Sequence, residues 1–338
     1  MKKYLNKKQI IISLCVAAAV AIIALIVQEI KPKNADDYAE YSKKTNIFTM
    51  GDKSMTLDEA FFITKNRQAY YEEYYYTYGT SFSWNIPVEM GKTYEDLVLE
   101  ETFQFIKEVF VLSEYALDND LDLTADEKNA VASSVSSFMT SSDSKIITAT
   151  KASEDLVSRV YTRTSLYDKV CAQILKDVDL TVDPEDARQC LVAIVELSPQ
   201  YFDAPDRIAD KILESVNSGE VIGGVATVYD ATAEKINVGK NTNINEDLRT
   251  FCLSLKDDEC KTIEINGVYY VVYCYLQNDE LVTASAKEVL LEEKKASYIT
   301  AFVEELEKEN PVTINTEAWE TVNFDDPVFT KNDIVQSQ

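Results

Sequence analysis

Residues 253–276 read LSLKDDECKTIEINGVYYVVYCYL, and this stretch decides the fold. Leu253 and Leu255 close a short helix, and Lys256-Asp257-Asp258-Glu259 makes an acidic turn. A strand over 262–265 follows, then Asn266-Gly267, then an apolar strand over 268–275. Asn-Gly between two β-rich runs marks a hairpin, because a type I′ turn needs positive φ at both central residues.

Upstream of the hairpin, 187–197 (ARQCLVAIVEL) is a buried-strand run. Pro205 suits the first turn of a helix that carries Ile208, Ile212 and Val216 on one face, and Asn217-Ser218-Gly219 ends it. Residues 225–245 show no regular pattern, and 246–253 form a short helix. The order over 183–278 is therefore β-α-(loop)-α-β-β. Over 284–324 a helix presents Val289, Ala296, Ile299, Val303 and Leu306 on one face, stops at Pro311, and gives way to a short strand at 312–314. The tail 325–338 carries no pattern and reads as disordered.

Residues 55–180 read as helical. Thr56 and Glu59 fit a capping box, as do Thr124 and Glu127. Leu99, Phe103, Ile106 and Phe110 recur at intervals of four, three and four, and Val160, Tyr167, Val170 and Ile174 share one face of a further helix. Six tyrosines crowd 70–78, followed by Phe82 and Trp84.

At the N-terminus Lys2, Lys3, Lys7 and Lys8 (within a basic flank, 1–9) precede an apolar run over 10–27. At ~1.5 Å per residue this run approaches the ~30 Å hydrocarbon core of a bilayer. No small-residue cleavage site follows it, so an uncleaved signal anchor is expected, with the basic flank cytoplasmic and 28–338 extracytoplasmic. Residues 28–54 are polar and read as a tether. The chain carries a formal charge of −25 and no histidine. The acidic surface excludes nucleic acid, and the missing imidazole excludes every histidine base and histidine metal ligand. No GxGxxG, Walker or GxSxG motif occurs, so neither cofactor nor metal is expected. Cys171, Cys190, Cys252, Cys260 and Cys274 lie beyond the anchor, and Cys190 and Cys274 fall in strands of one sheet, where they face each other or stand as small buried hydrophobes.

The helix end, acidic turn and Asn-Gly hairpin of 253–275 resemble the close of a parvulin-type prolyl isomerase domain. A helical region, an inserted β-α-α-β-β unit and a returning helix together resemble the PrsA/SurA class of extracytoplasmic chaperone-foldases. The implied architecture is α+β: an N-terminal transmembrane helix, a helical chaperone region completed by a C-terminal helix, and the inserted parvulin-like domain. The implied function is binding of unfolded, newly translocated proteins at the membrane, and a homodimer stays open.

The parvulin site normally joins two histidines and a Cys or Asp to an apolar proline pocket. Leu191-Val192-Ala193 stands where the family has its first histidine, and Tyr269 where it has the second. Asp230 lies near the acidic or thiol position, and Ile244, Leu248 and Leu253 at the pocket. This substitution implies a weak or inactive isomerase. An active isomerase with a rebuilt site, or a surface structural or adhesion module, remain the alternatives. The family's helical region binds clients, which makes Tyr70, Tyr71, Tyr74, Tyr75, Tyr78, Phe82 and Trp84 the candidate contacts, since aromatic rings offer large apolar area with a polar tip.

Overall fold

The computed structural model describes residues 35–78, 82–88, 91–330 and 333. The basic flank, the expected anchor over 10–27 and Cys15 lie outside them. The chain divides into two compact units. One is made of residues up to Lys176 together with those from Ile299 onward, and the other is Asp177–Tyr298.

In the first unit, helix α1 (Ala35–Lys44) leads into strands β1 (Asn46–Met50) and β2 (Lys53–Thr56). Within the stretch read as a tether, 28–54, residues 35–54 therefore carry a helix and two strands. Ile47 and Phe48, although consecutive, are both fully buried, because the β1–β2 register shifts between Asn46 and Phe48. Gly51, at φ 64°, makes the β1–β2 turn. Helix α2 (Leu57–Thr77) starts at the Thr56 capping box, where Glu59 accepts from the Thr56 N–H at 3.0 Å. Helices α3 (Tyr94–Asp118) and α4 (Ala125–Ser141) start at matching boxes, Thr93 with Asp96 and Thr124 with Glu127. Short α5 (Ser144–Ala149) and long α6 (Glu154–Ile174) complete the helical part.

The core of this unit gathers Phe48, Ile106, Phe110, Val157 and Val160, with Phe48 stacked on Phe110 at 5.9 Å. Each such side chain contributes about 1.5–3 kcal/mol by leaving water. One polar hub crosses the core. Arg163 donates to Glu59 at 3.0 Å, to Glu114 at 2.7 Å and to the Ser54 carbonyl at 2.8 Å.

In the second unit, the one-turn helix α7 (Pro184–Ala187) precedes the central strand β3 (Gln189–Leu197). Helices α8 (Pro205–Asn217) and α9 (Ile222–Val228) follow, then strand β4 (Ala233–Gly239), helix α10 (Glu246–Ser254), and the hairpin of β5 (Cys260–Ile265) and β6 (Val268–Leu276). The sheet is antiparallel throughout, in the order β4-β3-β6-β5. Asn266 and Gly267 take φ of 53° and 82°, as the type I′ turn requires. The stretch expected to be irregular, 225–245, holds both the end of α9 and the edge strand β4. The unit is thus β-α-α-β-α-β-β.

Both faces of this sheet are covered, which explains the unbroken apolar run of β3. Ala193, Val195, Leu197 and Val271 pack against Ala209, Ile212 and Val225 of α8 and α9. Val192, Ile194, Val272 and Cys274 pack against Leu248, Cys252 and Leu255 at α10.

The long helix α11 (Glu280–Glu309) is followed by strand β7 (Thr313–Ile314) and the one-turn helix α12 (Thr316–Trp319). In the first unit Ile299 and Val303 of α11 enter the core, and β7 pairs with β1 in a sheet ordered β2-β1-β7. Beyond α12 the described residues continue to Thr330, and the rest of the expected loose tail 325–338, apart from Asp333, lies outside them. Phe324, Val328 and Phe329 are buried.

Candidate functional site

The C-terminal half of α2 divides its tyrosines by helical phase. Tyr70, Tyr74 and Tyr78 are four residues apart, so they stand on one face one turn above another. They are 64%, 49% and 70% exposed. Tyr70 and Tyr74 stack with ring centroids 6.4 Å apart, and Tyr74 and Tyr78 lie at 4.9 Å. The result is a ladder of three rings in water, two on the helix and the third, Tyr78, at its C-cap.

The other aromatic residues hold that ladder in place. Tyr75 stacks on Phe82 at 4.4 Å with an interplanar angle of 8°. Phe82 meets Trp84 edge-on at 4.8 Å, and Trp84 stacks on Tyr94 at 5.8 Å. Tyr71 packs edge-on against Trp84 at 6.0 Å and is stacked with Tyr75 at 6.4 Å. Trp84, only 8% exposed, donates Nε1–H to Glu72 at 3.0 Å. Burial, then its hydrogen bond to Tyr75, pushes the Tyr94 phenol well above the usual tyrosine range. Of the seven aromatic contacts expected from sequence, three face solvent as a group. Tyr71, Tyr75 and Phe82 are half-buried and Trp84 is buried, and these four pack against one another beside the ladder.

A polar row lies beneath, without a signature in the sequence. Lys65, Gln68 and Glu72 are buried on the same helix. Their spacing, i, i+3 and i+7, is a stripe that periodicity alone assigns to solvent.

The second unit carries a groove of about 690 Å³. Ile194, Ile236, Ile244, Leu248 and Tyr270 line it, and Glu196, Glu234 and Asp230 also border it. Asp230 sits at φ 59°, just past the end of α9, and is exposed. The structure thus brings Asp230 together with Ile244 and Leu248. It does not bring Tyr269 or Leu253 to them. Successive strand residues point to opposite faces, and Tyr269 lies on the face covered by α8. There its phenol is raised, first by the hydrogen bond to Glu264 and also by the charges of Asp206 and Asp210. Tyr270 is the ring in the groove, opposite Glu196 in the β3–β6 ladder, and burial followed by that carboxylate raises its phenol. Leu253 packs under the sheet, and its carbonyl accepts from Arg188 at 3.2 Å.

All five cysteines beyond the expected anchor are buried free thiols. Cys190 and Cys274 share one core with Cys252, whose thiol is pushed up to about 12, mainly by burial. Among the described residues no group of histidine, cysteine or acidic side chains is arranged to hold a metal ion.

The chain is similar to PrsA foldases. A peptidylprolyl isomerase (PrsA) of Bacillus cereus is 13% identical over 82% of this chain and 96% of its own, with a TM-score of 0.33. A foldase protein (PrsA) of Lactococcus lactis is 13% identical over 82% of this chain and 98% of its own, with a TM-score of 0.30. A SurA-like chaperone structure from Campylobacter jejuni is 9% identical over 80% of this chain and 99% of its own, with a TM-score of 0.27. No family model and no curated protein matches the chain.

Proposed function

We propose that this chain is a membrane-anchored extracytoplasmic chaperone that holds newly translocated, unfolded proteins through the tyrosine ladder. The ladder carries the reading. Tyr70, Tyr74 and Tyr78 stand exposed in register along one helix, on a rigid aromatic support. Large rings with two side-chain torsions grip varied apolar segments at low entropic cost, and their hydroxyls stay wet. An apolar surface kept in water by an internal scaffold is a surface for a partner. The anchor is the apolar run 10–27. Among the described residues no helix is long and apolar enough to cross a membrane.

The second unit supports binding more than catalysis. Rotation about the X–Pro bond has a barrier of about 18–20 kcal/mol. Lowering it calls for an apolar seat for the ring and a hydrogen-bond donor at the twisting amide. The groove has an apolar floor, but its titratable groups are three carboxylates and the Tyr270 phenol. Carboxylates accept and do not donate, which leaves the Tyr270 phenol, held protonated beside Glu196, as a titratable donor where the family places two histidines. Weak or absent isomerase activity follows.

Aggregation of a reduced, denatured client protein, followed by light scattering, tests the reading. The chain suppresses scattering, and the variant with Tyr70, Tyr74 and Tyr78 changed to Ser loses most of that effect. Equal suppression by the two overturns it.

A further inference from the structure

The segment 323–330 crosses α2 as an extended strap, and the helix holds it almost wholly by its main chain. Lys65 Nζ donates to the Asn323 carbonyl at 2.8 Å. Gln68 Nε2 donates to the carbonyls of Asp326, at 3.0 Å, and Phe324, at 3.4 Å. One carboxylate oxygen of Glu72 accepts from the consecutive N–H groups of Val328 and Phe329, both at 2.7 Å. Glu95 accepts from the Phe324 N–H at 2.7 Å. Six backbone groups of the strap are satisfied by four side chains, so the register is fixed without reading most of the sequence.

Side chains add two anchors and a charge match. Phe324 packs on Trp84 at 4.3 Å, and Val328 and Phe329 pack around Ala69. Beside the strap lies a cavity of about 690 Å³ that carries Lys65, Lys145 and Lys151 with Tyr38 and Phe61. Three lysines on one wall are notable in a chain of net charge −25. Lys65 lies near Asp325 and Asp326 of the strap, and Lys145 is paired with Asp333 just beyond it.

A segment that only completes a core sits on apolar side chains. This one is registered by a Lys-Gln-Glu row that water would satisfy if the strap left, and its apolar contact is confined to Phe324 beside Trp84 and Val98 and to Val328 and Phe329 beside Ala69 and Ile146. We propose that the strap is a displaceable occupant of a peptide groove. Its occupant in trans is an extended acidic-aromatic segment of an unfolded chain: an aromatic residue, two acidic residues, and an apolar pair four and five positions after the aromatic. This rests on the reading that the helical unit binds unfolded proteins, and adds a main-chain-reading site under intramolecular competition. A groove open in roughly one molecule in ten to one in a hundred weakens apparent affinity about ten- to hundredfold.

The test uses the full chain and a fluorescein-labelled synthetic peptide of residues 321–330. Anisotropy is read for the unmodified chain and for the strap variant Phe324→Ser/Phe329→Ser, which leaves every groove residue in place. The variant binds the peptide at least about tenfold more tightly than the unmodified chain. A folded variant that ignores the peptide overturns the proposal. Hydrogen exchange on the unmodified chain decides the matter if the variant unfolds. Exchange of the Val328 and Phe329 amides at least about a hundredfold faster than that of Val109 and Phe110 supports local opening, and equal protection overturns it. Suppression of client aggregation without peptide uptake overturns this inference alone. Peptide uptake without suppression overturns the chaperone reading and leaves the groove.

Discussion

The first unit buries Asp58, Glu59, Lys65, Gln68, Glu72, Glu108 and Glu114, whereas among the described residues Asp177–Tyr298 buries no charged side chain. The second unit buries Cys190, Cys252, Cys260 and Cys274 in their place. Directional bonds to Arg163 and Glu72 specify how the helices, the β1–β2 hairpin and the strap meet. The sheet unit is specified by alternation and turn geometry, with apolar contact on both faces. The first design holds an unusual surface rigid, and the tyrosine ladder is that surface. The second holds a shape.

The largest effect that would break this contrast is expected at Arg163. Arg163→Met removes the guanidinium from two buried carboxylates, leaving Glu59 with only its Thr56 cap bonds and Glu114 with only Lys53 at 3.9 Å, at a cost of about 3–5 kcal/mol. Differential scanning calorimetry with exchange mass spectrometry should place the loss in the first unit and leave the protection of β3 and β6 unchanged. Equal loss in both units would show that the two designs are not independent. Cys252→Ser sharpens the other side. A hydroxyl among Val192, Val272 and Leu248 costs about 1–3 kcal/mol, confined to the sheet unit. A silent Cys252→Ser would mean that the site is wetter than its burial indicates.

Alkali separates the units without mutation. Burial holds Cys252 at about 12 and Cys260 and Cys274 at about 11, against about 8.5 for an unfolded thiol. The native state keeps protons that the unfolded state has lost, so stability falls as pH rises above about 8.5 and is lost progressively toward the folded values. The first unit has one such thiol beyond the expected anchor, Cys171, also near 11. Between pH about 8.5 and 9, where free tyrosines stay largely protonated, the sheet unit should lose midpoint temperature faster. Parallel decline would contradict the assignment.

Much of this was legible in the sequence where the determinant is local. The Thr56 and Thr124 capping boxes and the Asn266-Gly267 turn depend on residues within one turn of chain, and each stands where its pattern put it. Strand β4 was not legible. AEKINVG is an edge strand whose charged residues face water, and such edges lack an apolar signature. The strap was not legible because its bonds to Gln68 and Glu72 span more than 250 residues. Tyr269 stood one residue from Tyr270, and in a strand a shift of one exchanges the faces. Tyr270→Phe should therefore alter peptide binding in the groove, with stability changed by less than about 0.5 kcal/mol. Tyr269→Phe should leave that binding unchanged, as read by nuclear magnetic resonance titration with a proline peptide.

The smallest expected effect on stability is at the ladder, and it tests the account most directly. Changing Tyr70, Tyr74 and Tyr78 together to Ser removes only exposed rings, so each position should shift stability by no more than about 0.5 kcal/mol. The decisive measurement is light scattering of an aggregating client with this variant, its fold checked by circular dichroism. The account predicts a native spectrum with most of the suppression lost. A native spectrum with full suppression would contradict it.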